Sequence, residues 1–226
     1  FGIPSHCPPV FRAAGVGVMQ FLLPVGGVID SRFGVLTSYQ HGGVVVGIKA
    51  GMRWAADNCS FSKAFDPLKF ATWLDRMTPY RDTCLFVAVP DVVADSTATR
   101  RLWQQWQPVL AEWPIAFVAQ DGETDIPAGA SAVFIGGSTQ WKESADAVAI
   151  IQIAQGRGLH VHIGRVNWKA RYDKFNLLPG SEEFTCDGTR TRFDGTRKTV
   201  AAWAGYQDQP PLFRADCSVP VSDSVG

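Results

Sequence analysis

Short apolar runs recur along this chain and alternate with helix-patterned segments. The runs lie at 21–25, 84–90, 115–119, 132–135, 160–163 and 183–186. Two of them, Leu-Phe-Val-Ala-Val and Ile-Ala-Phe-Val-Ala, are apolar at consecutive positions, as strands covered on both faces are. Helices are expected at 67–77 (Leu68, Trp73, Leu74, Met77), at 96–113 and at 141–157. The second follows an Asp95/Ser96 cap and carries the stripe Leu102, Trp103, Trp106, Val109 and Leu110. The third turns Ala145, Val148, Ala149 and Ile153 one way and ends before Gly158. Strands alternating with helices over short connections imply a parallel sheet. An open doubly wound sheet would carry a glycine-rich phosphate loop after its first strand. Gly26-Gly27-Val28-Ile29-Asp30-Ser31 fits neither phosphate-loop pattern. The expected fold is therefore α/β, a (β/α)8 TIM-type barrel, compact or slightly irregular. It would form one domain over residues 19–226, behind a loosely attached lead at 1–18.

Charge and cysteine usage narrow the function classes. The 226 residues carry 21 basic and 21 acidic side chains, which argues against a protein that coats nucleic acid by bulk charge. Residues 157–198 nevertheless hold nine Lys and Arg against five acids, a local excess suited to phosphate or to a solvated face. Five scattered cysteines without a CxxC pair suggest a reducing, cytoplasmic setting and no zinc module. The apolar segment 16–29 is broken by Pro24, Gly26 and Gly27 and reads as a strand and loop, so no membrane span is expected.

Barrel chemistry gathers at the carboxyl ends of the strands. After the successive runs come Asp30-Ser31-Arg32-Phe33-Gly34, Asp91, Gln120-Asp121-Gly122, Gly136-Gly137-Ser138-Thr139, Gly164-Arg165 and Asp187-Gly188-Thr189-Arg190. Singly, an Asp caps a helix and a Gly turns a chain. Together they form a carboxylate-rich mouth.

This series resembles the tRNA-guanine transglycosylases over about residues 21–192. Within that superfamily the short chain without a zinc module is most similar to the DpdA-like 7-deazaguanine DNA transglycosylases of phages and bacteria. The resemblance implies that Asp187 is the nucleophile at the sugar C1′ and that Asp30 shuttles the proton. It implies base recognition by Asp91, Gln120 and the backbone of Gly136 and Gly137, with Phe33 or Tyr39 stacking on the purine. Arg165, Lys169, Arg190 and Arg192 would meet phosphates. The expected substrates are DNA, in preference to tRNA, and a base such as 7-cyano-7-deazaguanine. No cofactor is expected, and the resemblance admits a partner protein of a modification system. Two departures stand out: Arg32 replaces a family glycine, and Asp187 lies two residues further from Phe184 than the family pattern has it.

Other readings compete. Asp30 and Asp187 would equally serve a glycoside or nucleoside hydrolase. A non-catalytic partner subunit that binds base or nucleic acid is a third reading. The His160/His162 alternation is a metal signal in some hydrolytic barrels, or a filled barrel interior.

Overall fold

The computed structural model describes residues 18–24, 29–60, 65–188, 200 and 202–203. Eight parallel strands close into a barrel in chain order: β1 (Gln20–Pro24), β2 (Gly34–Ser38), β3 (Trp54–Asp57), β4 (Cys84–Ala88), β5 (Ile115–Ala119), β6 (Ala132–Ile135), β7 (His160–Ile163) and β8 (Thr185–Cys186). Closure is made where β1 pairs with β8, Gln20 beside Thr185 and Phe21 beside Cys186. The helices are α1 (Val46–Lys49), α2 (Pro67–Met77), α3 (Ser96–Trp106), α4 (Thr139–Lys142), α5 (Ala145–Gly156) and α6 (Lys169–Asn176). The barrel class expected from the sequence is thus observed. It is irregular, since β5 reaches β6 through coil alone and α1 is barely one turn.

Local chemistry sets the helix ends. Asp66, Asp95 and Ser144 accept the backbone N–H of Lys69, Ala98 and Ala147, capping α2, α3 and α5. Two helices are shorter than expected. α3 stops at Trp106, two residues before Pro108, which has no N–H to donate to the helix. The segment expected as one helix from 141 divides in two, because Ser138 caps α4 and Ser144 starts α5 afresh.

The apolar residues form two layers. The larger lies between barrel and helices and includes Phe21, Trp54, Phe70, Trp73, Phe117, Ile151 and Tyr172. The smaller fills the barrel with Leu22, Ala55, Phe86, Ala88, Ala116, Val118 and Ala132. Alanines on β3 to β6 leave room for large rings: Phe86 meets Phe134 at 6.1 Å, and His162 meets both, at 5.0 and 4.5 Å. Filling the barrel this way makes it a packed platform for side chains at its mouth. Among the described residues no helix is long and apolar enough to cross a membrane.

Candidate active site at the barrel mouth

The carboxyl ends of the strands carry Asp30 (after β1), Asp57 (ending β3), Asp91 (after β4), Gln120 and Asp121 (after β5), Gly136 and Gly137 (after β6), Arg165 (after β7) and Asp187 (after β8). Five aspartates therefore belong to one mouth, and their partners divide them into different kinds.

Asp187 is 9% exposed. Its Oδ1 accepts from the Arg165 backbone N–H at 2.8 Å and faces His162 Nε2 at 3.2 Å. Its backbone carbonyl accepts from Val166 N–H, which fastens the loop after β7 to the end of β8. Among the described residues no donor meets Oδ2, so one carboxylate oxygen is held and the other is open. Asp57 accepts from Cys59 N–H at 3.0 Å. Burial pushes its carboxyl above the usual range, and the negative charge of Asp187 adds to this. Asp57 and Asp187 are thus electrostatically coupled.

Asp30 is different. Arg32 grips both of its oxygens, Nε to Oδ1 at 3.0 Å and Nη2 to Oδ2 at 2.7 Å, and its backbone N–H adds a further bond to Oδ1. A carboxylate forked by guanidinium is a poor proton carrier. The carboxyl that the resemblance gives the proton shuttle is thus occupied by Arg32, whereas no side chain among the described residues forks Asp57. The sequence reading passed over β3 because Trp-Ala-Ala-Asp is short and alanine-rich. The signal was an apolar run ending in Asp, the rule already used for the other strands.

Asp91 is the most elaborately held. Asn58 Nδ2 donates to its Oδ1 at 2.8 Å and to the Val89 carbonyl at 2.7 Å, while Gln120 Nε2 donates to its Oδ2 at 2.6 Å. Burial raises its pKa to about 6, against the lowering effect of Asn58, and the Asp57 charge raises it further. Gln120, 2% exposed, accepts at Oε1 from Ala94 and Gly137 N–H at 2.8 and 2.9 Å. It therefore braces Asp91 against the loops after β4 and β6.

The other groups that the resemblance assigns to the base have protein partners. Gly136 N–H donates to the Ala119 carbonyl and Gly137 N–H to Gln120, so neither is turned to a ligand as a donor. Phe33 is buried in the outer layer with its ring near the Arg32 guanidinium. Tyr39 packs edge-on against Phe65 and Phe70, with its hydroxyl accepting from Asp66 N–H. Neither ring presents a face for stacking on a purine.

The basic sector is also largely turned to protein partners. Arg165 Nη2 donates to the Gly137 carbonyl at 2.5 Å, and Lys169 pairs with Asp173 on the same helix. Arg171 pairs with Glu143. Lys169 stays exposed on α6, whereas Arg190 and Arg192 lie outside the described residues. Lys142 was not anticipated. Fully buried, its amine donates to the Gly164 carbonyl at 3.1 Å, and burial, helped by Arg165, brings its pKa down to about 7. Among the described residues no three His, Cys, Asp or Glu side chains assemble into a metal-binding set.

Glycine at position 137 is demanded twice. Its φ is +68°, and a Cβ there would lie 2.5 Å from Asp121 Oδ1 and 2.7 Å from Trp141 Cε3. Asp121 cannot yield easily, because both its oxygens hold Ser138. Gly137→Ala is expected to lower stability by roughly 1–3 kcal/mol, read as a shift of the urea midpoint. An unchanged midpoint would mean that the turn after β6 is softer than its contacts indicate.

No protein-family model matches the chain, and a search of curated proteins returns no match.

Proposed function

We propose that the protein is a base-exchanging transglycosylase that replaces guanine in nucleic acid, DNA in preference to tRNA, with a 7-deazaguanine derivative. The observation that carries this reading is the coupled pair Asp57 and Asp187, one raised by burial and the other held at one oxygen and open at the second. Two carboxylates in contrasting environments suit two jobs, proton carrier and nucleophile.

The steps follow from that division. Asp187 Oδ2 attacks the anomeric carbon, the glycosidic C–N bond breaks, and Asp57 gives a proton to the departing purine. The incoming base then attacks the same carbon and returns its proton to Asp57. The C–O bond breaks, and the electron pair goes back to Asp187. Two displacements retain configuration and need no redox partner. Asp91, with its two oxygens fixed by Asn58 and Gln120, is placed as an acceptor for the N1–H and N2–H₂ donors of a guanine-type base. Its charge matters to that role. Guanine binding should weaken as pH falls through about 6, where the Asp91 carboxyl takes a proton and ceases to be a full acceptor. Calorimetric titration across pH 5 to 8 reads this, and affinity independent of pH would remove Asp91 from base recognition. Lys169, exposed on α6 and paired with Asp173, is assigned to phosphate by exchange of that pair.

The direct test is nucleoside analysis of DNA and tRNA from cells that express the protein with a supply of 7-cyano-7-deazaguanine. Modified deoxynucleoside is the expected product. Release of guanine without replacement would instead indicate hydrolysis by the same pair, and modified tRNA alone would reverse the acceptor preference.

A further inference from the structure

Beneath Asp187 a file of polar side chains descends along β7 and β8, beside the apolar filling of the barrel. His160 and His162 alternate on the inward face of β7, and Thr185 on β8 stands in register with His162. Thr185 Oγ1 lies 2.8 Å from His160 Nε2 and 2.8 Å from His162 Nδ1. The second nitrogen of His162 faces Asp187 Oδ1 at 3.2 Å. His162 has no exposed surface and is flanked by Phe86 and Phe134. Polar groups in such surroundings cost free energy unless each is hydrogen-bonded, and each is. The two imidazoles converge on a hydroxyl, which accounts for the His-x-His spacing without a metal.

Proton arithmetic gives the file a direction. A hydroxyl donates once, so Thr185 can give its proton to only one of the two ring nitrogens it meets. The Asp187 carboxylate only accepts, so the His162 nitrogen that faces it carries hydrogen. A neutral ring with hydrogen on Nε2 has a lone pair on Nδ1, which takes the Thr185 proton. The Thr185 oxygen then accepts from His160 Nε2–H. All three hydrogen bonds point toward Asp187.

We infer that Thr185, backed by His160, locks His162 in the tautomer that donates to Asp187, so that His162 and Thr185 are positioning residues for the nucleophilic carboxylate. The role rests on the reading of Asp187 as nucleophile given above. Burial that drives the pKa of His160 down to about 3 keeps that ring neutral, as the file requires. The chemical use is specific. With Oδ1 held by His162 and Arg165 N–H, Oδ2 is turned to the sugar. In the glycosyl ester, Oδ1 becomes the carbonyl oxygen, and the same two donors stabilise the charge that returns to it when the incoming base expels the carboxylate.

The test uses the full chain labelled with ¹⁵N in histidine, as wild type, Thr185→Val and Thr185→Ser. The expected wild-type spectrum shows both rings with hydrogen on Nε2. Thr185→Val keeps the side-chain shape and removes the hydroxyl, so His162 should move to a mixture of tautomers, and Thr185→Ser should restore the single form. Base exchange should follow, with kcat falling roughly 10–100-fold in Thr185→Val, KM little changed, and recovery in Thr185→Ser. A wild-type His162 with hydrogen on Nδ1 alone overturns the lock, whatever the variants do. An unmoved tautomer in Thr185→Val also overturns it. If the tautomers behave as expected but wild type exchanges no base, the lock stands and the transglycosylase reading fails.

Discussion

Asp187→Asn should reduce base exchange by roughly a thousandfold or more while the protein stays folded and still binds nucleic acid. The geometry makes this substitution unusually clean. The Asn carbonyl can take the place of Oδ1 and accept from Arg165 N–H and His162, while its amide nitrogen falls where Oδ2 had no donor. The hydrogen bonds that shape the mouth therefore survive. What is lost, on the proposed function, is the anionic oxygen for attack on the sugar, and an amide is a far weaker nucleophile. A covalent protein–nucleic acid adduct, trapped by denaturing wild type during turnover without a second base, should be absent from the variant. An Asp187→Asn protein that exchanges bases and forms the adduct would move the nucleophile to another carboxylate of the mouth, with Asp57 first in line.

Much of this arrangement could be read from residue order, and the places where reading stopped have physical causes. β5 and β6 are legible at their observed bounds because their positions are apolar in succession, and β7 because Val161 and Ile163 alternate with its two histidines. β2 and β3 were missed. Gly34 and the polar Thr37 and Ser38 blur one, and Ala55 and Ala56 weaken the other, although Ala55 is among the small residues that let the interior rings fit. Missing β3 concealed Asp57. The rule that strand ends carry chemistry held for position but not for role. Nothing in the linear order shows that Arg32 closes on Asp30, that Gln120 takes up the Gly137 N–H, or that Tyr39 turns to Phe65 and Phe70. These are choices among hydrogen-bond and packing partners made only when distant segments meet. Conversely, the His160/His162 alternation was visible from the start, but its partner Thr185 lies 23 residues beyond His162 and becomes one only through the pairing of β7 with β8.

The same distinction between place and role separates Asp57 from Asp30. Asp57→Asn is expected to slow base exchange roughly 10²–10⁴-fold, the usual worth of a positioned proton carrier. On the proposed function both displacements pass a proton through it, so adduct formation should slow as well. Stability should not suffer. The folded protein raises the Asp57 carboxyl above its ordinary value of 3.8, so ionisation at neutral pH opposes folding. That burden grows as pH rises from 3.8 toward the raised value and is absent from the amide. Urea unfolding at pH 7 should therefore find Asp57→Asn at least as stable as wild type. Asp30→Asn should show the opposite pattern. It leaves Arg32 with half of its fork unanswered, at a cost of roughly 1–3 kcal/mol in unfolding free energy, while exchange by the folded fraction stays within about tenfold of wild type. Measuring both quantities in both variants makes the assignment exclusive: a folded Asp30→Asn protein that has lost exchange, beside an active Asp57→Asn protein, would return the proton to Asp30 and make the Arg32 fork a contact that opens during turnover.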